Sequence, residues 1–116
     1  MEKRRVPLII KCNRILINPK EYWGEIIQLA FIENELENIS ITRLPYEDEI
    51  YIEHNDQINC AYSFYKDVYF TLEDGSLLVE FKPKIKWNMS DKIKIILSQT
   101  VDNMEEILSA LKADPS

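Results

Sequence analysis

Glycine is scarce in this chain of 116 residues, which contains only Gly24 and Gly75. A phosphate-cradling loop or a dinucleotide-binding fingerprint needs several glycines within a short window, so neither can be built here. Histidine and cysteine are also scarce, with His54 as the single histidine and Cys12 and Cys60 as the two cysteines. We therefore expect two free thiols in a reducing compartment, and neither a disulfide framework nor a zinc site.

Long apolar runs are missing as well. No run approaches the roughly 18 residues that cross a bilayer. The apolar stretch 6–10, which follows a basic N-terminus, is too short for the core of a signal peptide. These features predict a cytoplasmic protein without a membrane segment. The length and a hydrophobic content of 46% predict one domain over residues 1–116, with flexible ends at 1–5 and 113–116.

The residue types that catalysis and metal binding require do not form a recognisable pattern. His54 could pair with Cys60 as a base, or bind a metal with Glu53 and Asp56, but these residues are only near one another in sequence. We interpret His54 as an exposed histidine in a turn. The sequence therefore predicts a protein without a cofactor or a metal, and one that is not an enzyme.

Two segments have the spacing of an amphipathic helix. After a capping asparagine, apolar residues recur on one face at 100° per residue over residues 19–33. Near the C-terminus, an apolar stripe extends to Leu111 from a cap at Asn88 or Ser90. Ile95 is the exception in this long C-terminal helix, so we expect it to point outward or toward a partner.

Short alternating segments between these helices predict an antiparallel meander of four or five strands. They include residues 39–41, 50–52 and 58–64, and residues 6–17 form a further strand with a bend near Asn13. The expected fold class is α+β: an antiparallel β-sheet meander packed on one face by a helix in the N-terminal half and a long C-terminal helix.

The connections between the later strands can also be predicted. Asp74-Gly75 favours a type I′ hairpin, in which three apolar pairs face each other: Leu72 with Leu77, Phe70 with Val79, and Val68 with Phe81. Before this hairpin, a three-residue connection over 65–67 keeps the apolar faces aligned. It places two further pairs opposite each other, Phe64 with Val68 and Tyr62 with Phe70.

The net charge of −6 conceals a strongly acidic middle of the chain. Residues 21–80 hold 14 acidic residues against Arg43 and Lys66 alone, and all six tyrosines lie in this region. Such carboxylates either keep the protein in solution or attract a basic partner, and tyrosine is a frequent interface anchor. The residues that we expect to form a partner-binding face are Tyr46, Glu47, Asp48, Glu49, Tyr51, Glu53, Asp56 and Tyr65.

The basic segment that follows offers a different interpretation. Lys82, Lys84 and Lys86 alternate, so in a strand they share one face. They would either protect a sheet edge or track phosphates, with Trp87 or Phe81 stacking on bases. The negative net charge argues against nucleic acid as the partner, because phosphate binding depends on positive charge.

These patterns favour a small acidic inhibitor of the immunity or antitoxin type. It would mask a basic partner, such as a nuclease toxin, with carboxylates that pair with lysine and arginine. An acidic secretion or assembly chaperone fits the size and charge as well, with Ile95 contributing to an apolar groove. A nucleic-acid-binding module that uses Lys82, Lys84 and Lys86 is the third hypothesis. The sequence leaves the partner and the oligomeric state open.

Overall fold

The computed structural model describes residues 7–18, 27–44, 47–55, 59–84, 87, 90–98 and 104–113. Over these residues the chain is built mainly from strands, with a short α-helix near the C-terminus. The strands are β1 (Leu8–Cys12), β2 (Arg14–Asn18), β3 (Ile27–Asn34), β4 (Glu37–Arg43), β5 (Glu49–His54), β6 (Asn59–Phe64), β7 (Tyr69–Glu73), β8 (Ser76–Glu80) and β9 (Lys92–Leu97), and the helix is α1 (Met104–Leu111). A 3₁₀ helix, Tyr65–Asp67, separates β6 from β7.

The strands form two sheets. Strands β2 to β6 form a five-stranded antiparallel sheet in sequence order, whereas β1, β9, β8 and β7 form a four-stranded sheet in that spatial order. Only Asn13 separates β1 from β2, so the chain passes from one sheet into the other at this residue. The Asn13 backbone N–H donates to the Ile32 carbonyl and its side-chain amide to the Glu33 carbonyl, each at 2.8 Å. The predicted bend near Asn13 is confirmed, and it is the corner between the sheets.

The sheets meet again beyond β8. The backbone N–H of Lys84 donates to the Tyr62 carbonyl at 2.8 Å, and the Ser63 hydroxyl donates to the Lys82 carbonyl at 2.7 Å. The segment that leaves the four-stranded sheet therefore lies along β6, the edge strand of the five-stranded sheet. Covering an edge in this way protects it from pairing with another chain.

One hydrophobic core is shared by both sheets and α1. Alternate side chains of the central strands point into it, and β-branched residues suit this role because they pack well on a pleated surface. In β4 and β5 these residues are Ile39, Ile41, Ile50 and Ile52, all fully buried. Burying a side chain of this size contributes about 1.5–3 kcal/mol relative to exposure. Helix α1 adds one face to the same cluster, through Met104, Leu108 and Leu111.

The predicted α+β fold with two covering helices is wrong, because the described residues form two sheets and one short helix. The helix expected over residues 19–33 is contradicted in its second half by β3, and residues 19–26 lie outside the described residues. Leu29 and Phe31 are fully buried and Ala30 between them is not, which is the period of a strand. Pairing with β2 and β4 on either side fixes this outcome.

The long C-terminal helix is wrong as well. Helix α1 begins only at Met104, and Lys92–Leu97 form β9, which lies between β1 and β8. The Ser90 hydroxyl accepts the N–H of Lys92 at 3.1 Å, so it precedes a strand and caps no helix. Ile95 is fully buried, contrary to the expected outward position. Among the described residues, no helix is both long and apolar enough to cross a membrane.

The hairpin at Asp74-Gly75 is confirmed in its register, with Leu72 opposite Leu77 and Phe70 opposite Val79, but the ladder ends at Tyr69 and Glu80 and does not include the predicted pair of Val68 with Phe81. The predicted type I′ turn is wrong, since that turn needs a positive φ at both central residues. Gly75 has a φ of 71°, but Asp74 does not share this conformation, because Asn55 is the only described residue besides glycine with a positive φ.

The predicted three-residue hairpin loop between β6 and β7 is wrong. Residues 65–68 connect the two strands, and the first three of them form the 3₁₀ helix Tyr65–Asp67. The pairing expected around it is wrong, because β6 pairs with β5 and β7 pairs with β8. The connection carries the chain from one sheet into the other instead of turning it back along β6. Tyr62 therefore lies opposite Tyr51 of β5, and Phe64 packs against the core cluster.

Candidate protein-binding face

The outer face of the five-stranded sheet brings carboxylates and tyrosines together. In β5, Ile50 and Ile52 point into the core, so the alternate residues point outward. In β6 the inward positions hold the small side chains of Ala61 and Ser63, and the larger Tyr62 between them lies on the outer face. We use the name tyrosine–carboxylate face for six residues of β5, β6 and the segment before β5: Glu47, Asp48, Glu49, Tyr51, Glu53 and Tyr62.

Two tyrosines form the centre of this face. Tyr51 and Tyr62 lie directly opposite each other in the β5–β6 register, with ring centroids 5.6 Å apart and ring planes at 37°. Both rings are half-buried, and a cross-strand aromatic pair stabilises the sheet by roughly 0.2–1 kcal/mol. Because each ring restricts the other, the pair loses little further freedom when a partner packs on it.

Carboxylates surround the tyrosine pair and give the face a negative field. Glu47 and Asp48 are exposed at its rim, and Glu49 and Glu53 are half-buried on either side of Tyr51. Partial burial raises the pKa of Tyr51, and the charges of Glu47 and Glu49 raise it further. A field that disfavours a phenolate also favours any cation that approaches.

One lysine of the chain already binds at this face. The ammonium of Lys84 lies 2.7 Å from the Oε2 atom of Glu49. The hydrogen bond with Glu49 raises the pKa of Lys84, with smaller contributions from the charges of Glu49, Asp48 and Tyr62. This contact is an internal example of how a partner's lysine or arginine would be held.

The structure brings together five of the eight residues expected to bind a partner: Glu47, Asp48, Glu49, Tyr51 and Glu53. Tyr46 and Asp56 lie outside the described residues. Tyr65 is only 5% exposed and packs in the core, with the guanidinium of Arg43 4.4 Å from its ring centroid. It is therefore not part of the outer face.

Tyr62 and Lys84 belong to the site although the sequence did not place them there. The sequence carried no signal for Tyr62, because a strand that faces a core usually puts its larger side chains inward, and here the small Ala61 and Ser63 take those positions. Lys84 was expected on a strand with Lys82 and Lys86. Residues 82–84 are not a strand, and Lys86 lies outside the described residues.

The aromatic residues proposed for base stacking are not available for it. Trp87 is 7% exposed and donates its indole N–H to the Ser90 carbonyl at 2.9 Å. Phe81 is 4% exposed and packs edge-on against Trp87 at 5.8 Å. The nucleic-acid interpretation therefore lacks its stacking rings, and the chaperone interpretation lacks its exposed Ile95, which is buried.

His54 lies in the core and not in an exposed turn, so that prediction is wrong. It is 5% exposed, and its Nε2 atom lies 3.4 Å from the Oε2 atom of Glu37, while its Nδ1 atom has no hydrogen-bond partner. Both cysteines are free thiols, Cys12 buried and Cys60 half-buried. Within the described ranges, no three acidic, histidine or cysteine side chains lie close enough to hold a metal ion.

The chemistry of the tyrosine–carboxylate face is that of recognition. Its carboxylates accept hydrogen bonds from lysine and arginine, and its phenols combine an apolar ring with a hydroxyl that donates or accepts. No protein-family model matches the chain, and no curated protein or solved structure matches it either.

Proposed function

We propose that this protein is an acidic inhibitor of the immunity or antitoxin type, which neutralises a basic protein partner such as a nuclease toxin. The observation that carries this proposal is the Tyr51–Tyr62 pair, held on the outer face of a sheet and surrounded by four carboxylates. The protein acts by occupying the partner's basic surface, so it needs no catalytic group of its own. A cytoplasmic location is part of the proposal, because both thiols are free and reducing compartments keep them so.

The arrangement suits a high-affinity interface in two ways. Tyrosine anchors at the centre of an interface supply apolar area at low entropic cost, and the charged rim steers a basic partner into place. Of the two basic residues in the acidic middle, Arg43 is buried against α1 and only Lys66 is exposed. The surface potential of this region is therefore more negative than a simple count of its charges indicates.

Neutralising three carboxylates of the tyrosine–carboxylate face tests the proposal. The immobilised wild-type chain is used to retain a basic protein from its host's lysate at low salt, and the affinity for that protein is then measured. The face variant carries Glu47→Gln, Asp48→Asn and Glu49→Gln. The control variant removes the same charge at exposed positions elsewhere, through Glu73→Gln, Asp74→Asn and Glu106→Gln.

We expect the face variant to bind at least about tenfold more weakly, which corresponds to about 1.4 kcal/mol, and the control to bind within about threefold of the wild type. Retention should also fall as salt rises, since exposed charge pairs are screened. Equal losses in both variants would mean that only the overall charge matters. Unchanged affinity in both variants would show that these three carboxylates do not contribute to binding, and it would contradict the proposal.

A further inference from the structure

A second concave surface lies between the edge strand β7 and helix α1. It encloses about 610 Å³. Its walls are the side chains of Tyr69, Phe70 and Leu72 from β7 and Leu108 from α1, with Lys112 and Glu105 also lining it. Tyr69 is 57% exposed and Leu72 36% exposed, so the wall from β7 is open to solvent, whereas Leu108 on the other wall is 7% exposed. We call this surface the β7–α1 groove.

The backbone of β7 offers unpaired hydrogen-bonding groups along this groove. β7 is the terminal strand of its sheet and pairs with β8 alone. The two-residue hairpin makes Glu73 and Ser76 a hydrogen-bonded pair, and such pairs alternate along the strands. The N–H and C=O groups of Phe70 and Leu72 therefore face the open edge. Within the described part of the chain, no other strand lies along that edge.

The two ends of the groove differ in charge. The ammonium of Lys112 lies where β7 begins, since it donates to the carbonyls of Tyr65, at 2.9 Å, and Val68. It also lies 4.9 Å from the ring centroid of Tyr69. Two of its three hydrogens are used in this way, which leaves one for a ligand. Glu105 lies in the first turn of α1, so it marks the opposite end.

The ammonium of Lys112 has no carboxylate in direct contact among the described residues. Partial burial lowers the pKa of Lys112, Asp67 opposes this effect, and the nearby guanidinium of Arg43 adds to it. The two oxygens that Lys112 contacts are neutral carbonyls. An incoming carboxylate would complete the environment of this ammonium with a charge-assisted hydrogen bond.

We propose that the β7–α1 groove binds the extended C-terminal segment of a protein partner, with its terminal carboxylate at Lys112. A strand added antiparallel to β7 has its C-terminal end where β7 begins, and that is the end where Lys112 lies. Its backbone pairs with Phe70 and Leu72, and its alternate apolar side chains pack against Leu108. This site is separate from the tyrosine–carboxylate face and does not depend on the function proposed for that face.

A display library of short random peptides with free C-termini, selected on the full-length chain, tests this proposal. Enriched peptides are synthesised with a free or an amidated C-terminus, and their affinities are measured by fluorescence anisotropy. We expect amidation to weaken binding by about tenfold, the contribution of a charge-assisted hydrogen bond. Lys112→Met should abolish this difference between the two peptide forms.

Two further variants test the strand addition. Leu72→Pro removes an N–H at the open edge without removing one from the β7–β8 ladder, so binding should be lost while the circular dichroism spectrum is kept. If proline disturbs the fold, Leu72→Glu at the same exposed position should weaken binding by removing an apolar wall. Ile96→Ser, at an exposed side chain of the same sheet, is the control and should bind as the wild type does.

Three outcomes would overturn the proposal. The first is that the wild-type chain enriches no peptide more strongly than the Leu72→Pro variant does in a parallel selection. The second is a set of enriched peptides that bind equally well when amidated, since the carboxylate would then have no role. The third is full binding by a folded Leu72→Pro or Leu72→Glu variant, since the ligand would then lie elsewhere.

Discussion

Two adjacent isoleucines of β9 provide a sharp test of the fold. Ile95 is fully buried, and its register neighbours Ile10 in β1 and Leu77 in β8 are fully buried too. Ile96 is 38% exposed and lies beside Lys11 and Ser76. A helix through the same residues would reverse their positions, because the helical stripe includes Ile96 and leaves Ile95 outside. Replacing each by alanine therefore distinguishes the two structures.

The expected cost of each substitution follows from burial. Ile95→Ala removes three buried carbons at about 0.8 kcal/mol each, and the cavity left between fully buried neighbours raises the cost to about 3–4 kcal/mol. Ile96→Ala removes the same atoms from a partly exposed site, so we expect about 1 kcal/mol or less. The difference of about 2 kcal/mol or more is well above the error of the measurement.

Urea unfolding is the appropriate assay, with the fluorescence of the buried Trp87 among its probes. The free energy of unfolding should fall much more for Ile95→Ala than for Ile96→Ala, with similar dependence on urea concentration in both. An equal or larger loss for Ile96→Ala would refute the strand assignment and with it the four-stranded sheet.

Three other predictions concern single residues. Arg43→Met should cost about 3 kcal/mol in urea unfolding, because it removes two hydrogen bonds to carbonyls and a ring contact from a buried site; a loss below about 1 kcal/mol would contradict this. Gly75→Ala should cost about 1 kcal/mol by calorimetry, through positive φ alone, since nothing lies within 4 Å of the added Cβ, and Gly75→Asn should cost less. Glu53→Gln should speed the reaction of Cys60 with a disulfide reagent at mildly alkaline pH, because burial and then the charge of Glu53 raise the pKa of this thiol; an unchanged rate would show that the two groups do not interact.

The local signals in the sequence were sufficient where neighbours along the chain determine the structure. The alternation of Ile39 with Ile41 and of Ile50 with Ile52 predicts two central strands correctly. The Asp74-Gly75 dipeptide predicts the β7–β8 register, because a two-residue turn fixes which residues face each other.

The predictions of the two helices were wrong because short apolar segments that contain two adjacent isoleucines fit the pattern of a helix as well as that of a strand. The deciding contacts are distant in sequence. β9 becomes a strand because β1, from the other end of the chain, pairs with it in parallel, and β3 because β2 and β4 lie on its two sides. Pattern within a single segment does not contain this information.

The sequence predicted the part of the candidate site that depends on residues close together in the chain. Glu47, Asp48, Glu49 and Glu53 cluster because they lie in and next to one strand. Tyr65 is buried for a tertiary reason, since Arg43 lies on its ring while also donating to the Leu111 carbonyl at the end of α1. The role of the four carboxylates in partner binding stays a prediction, as do the roles expected of Tyr46 and Asp56.

Site-specific photo-crosslinking in the native host tests the central claim most directly. A benzophenone amino acid replaces Tyr62 in the tyrosine–carboxylate face or, as a control, Ile9, which is 49% exposed on β1 in the other sheet. We predict that the probe at Tyr62 cross-links to one basic protein in stoichiometric amounts, and that neutralising Glu47, Asp48 and Glu49 abolishes the product. Equal cross-linking from both positions, or a product only from the control position, would contradict the assignment of this face as the binding surface.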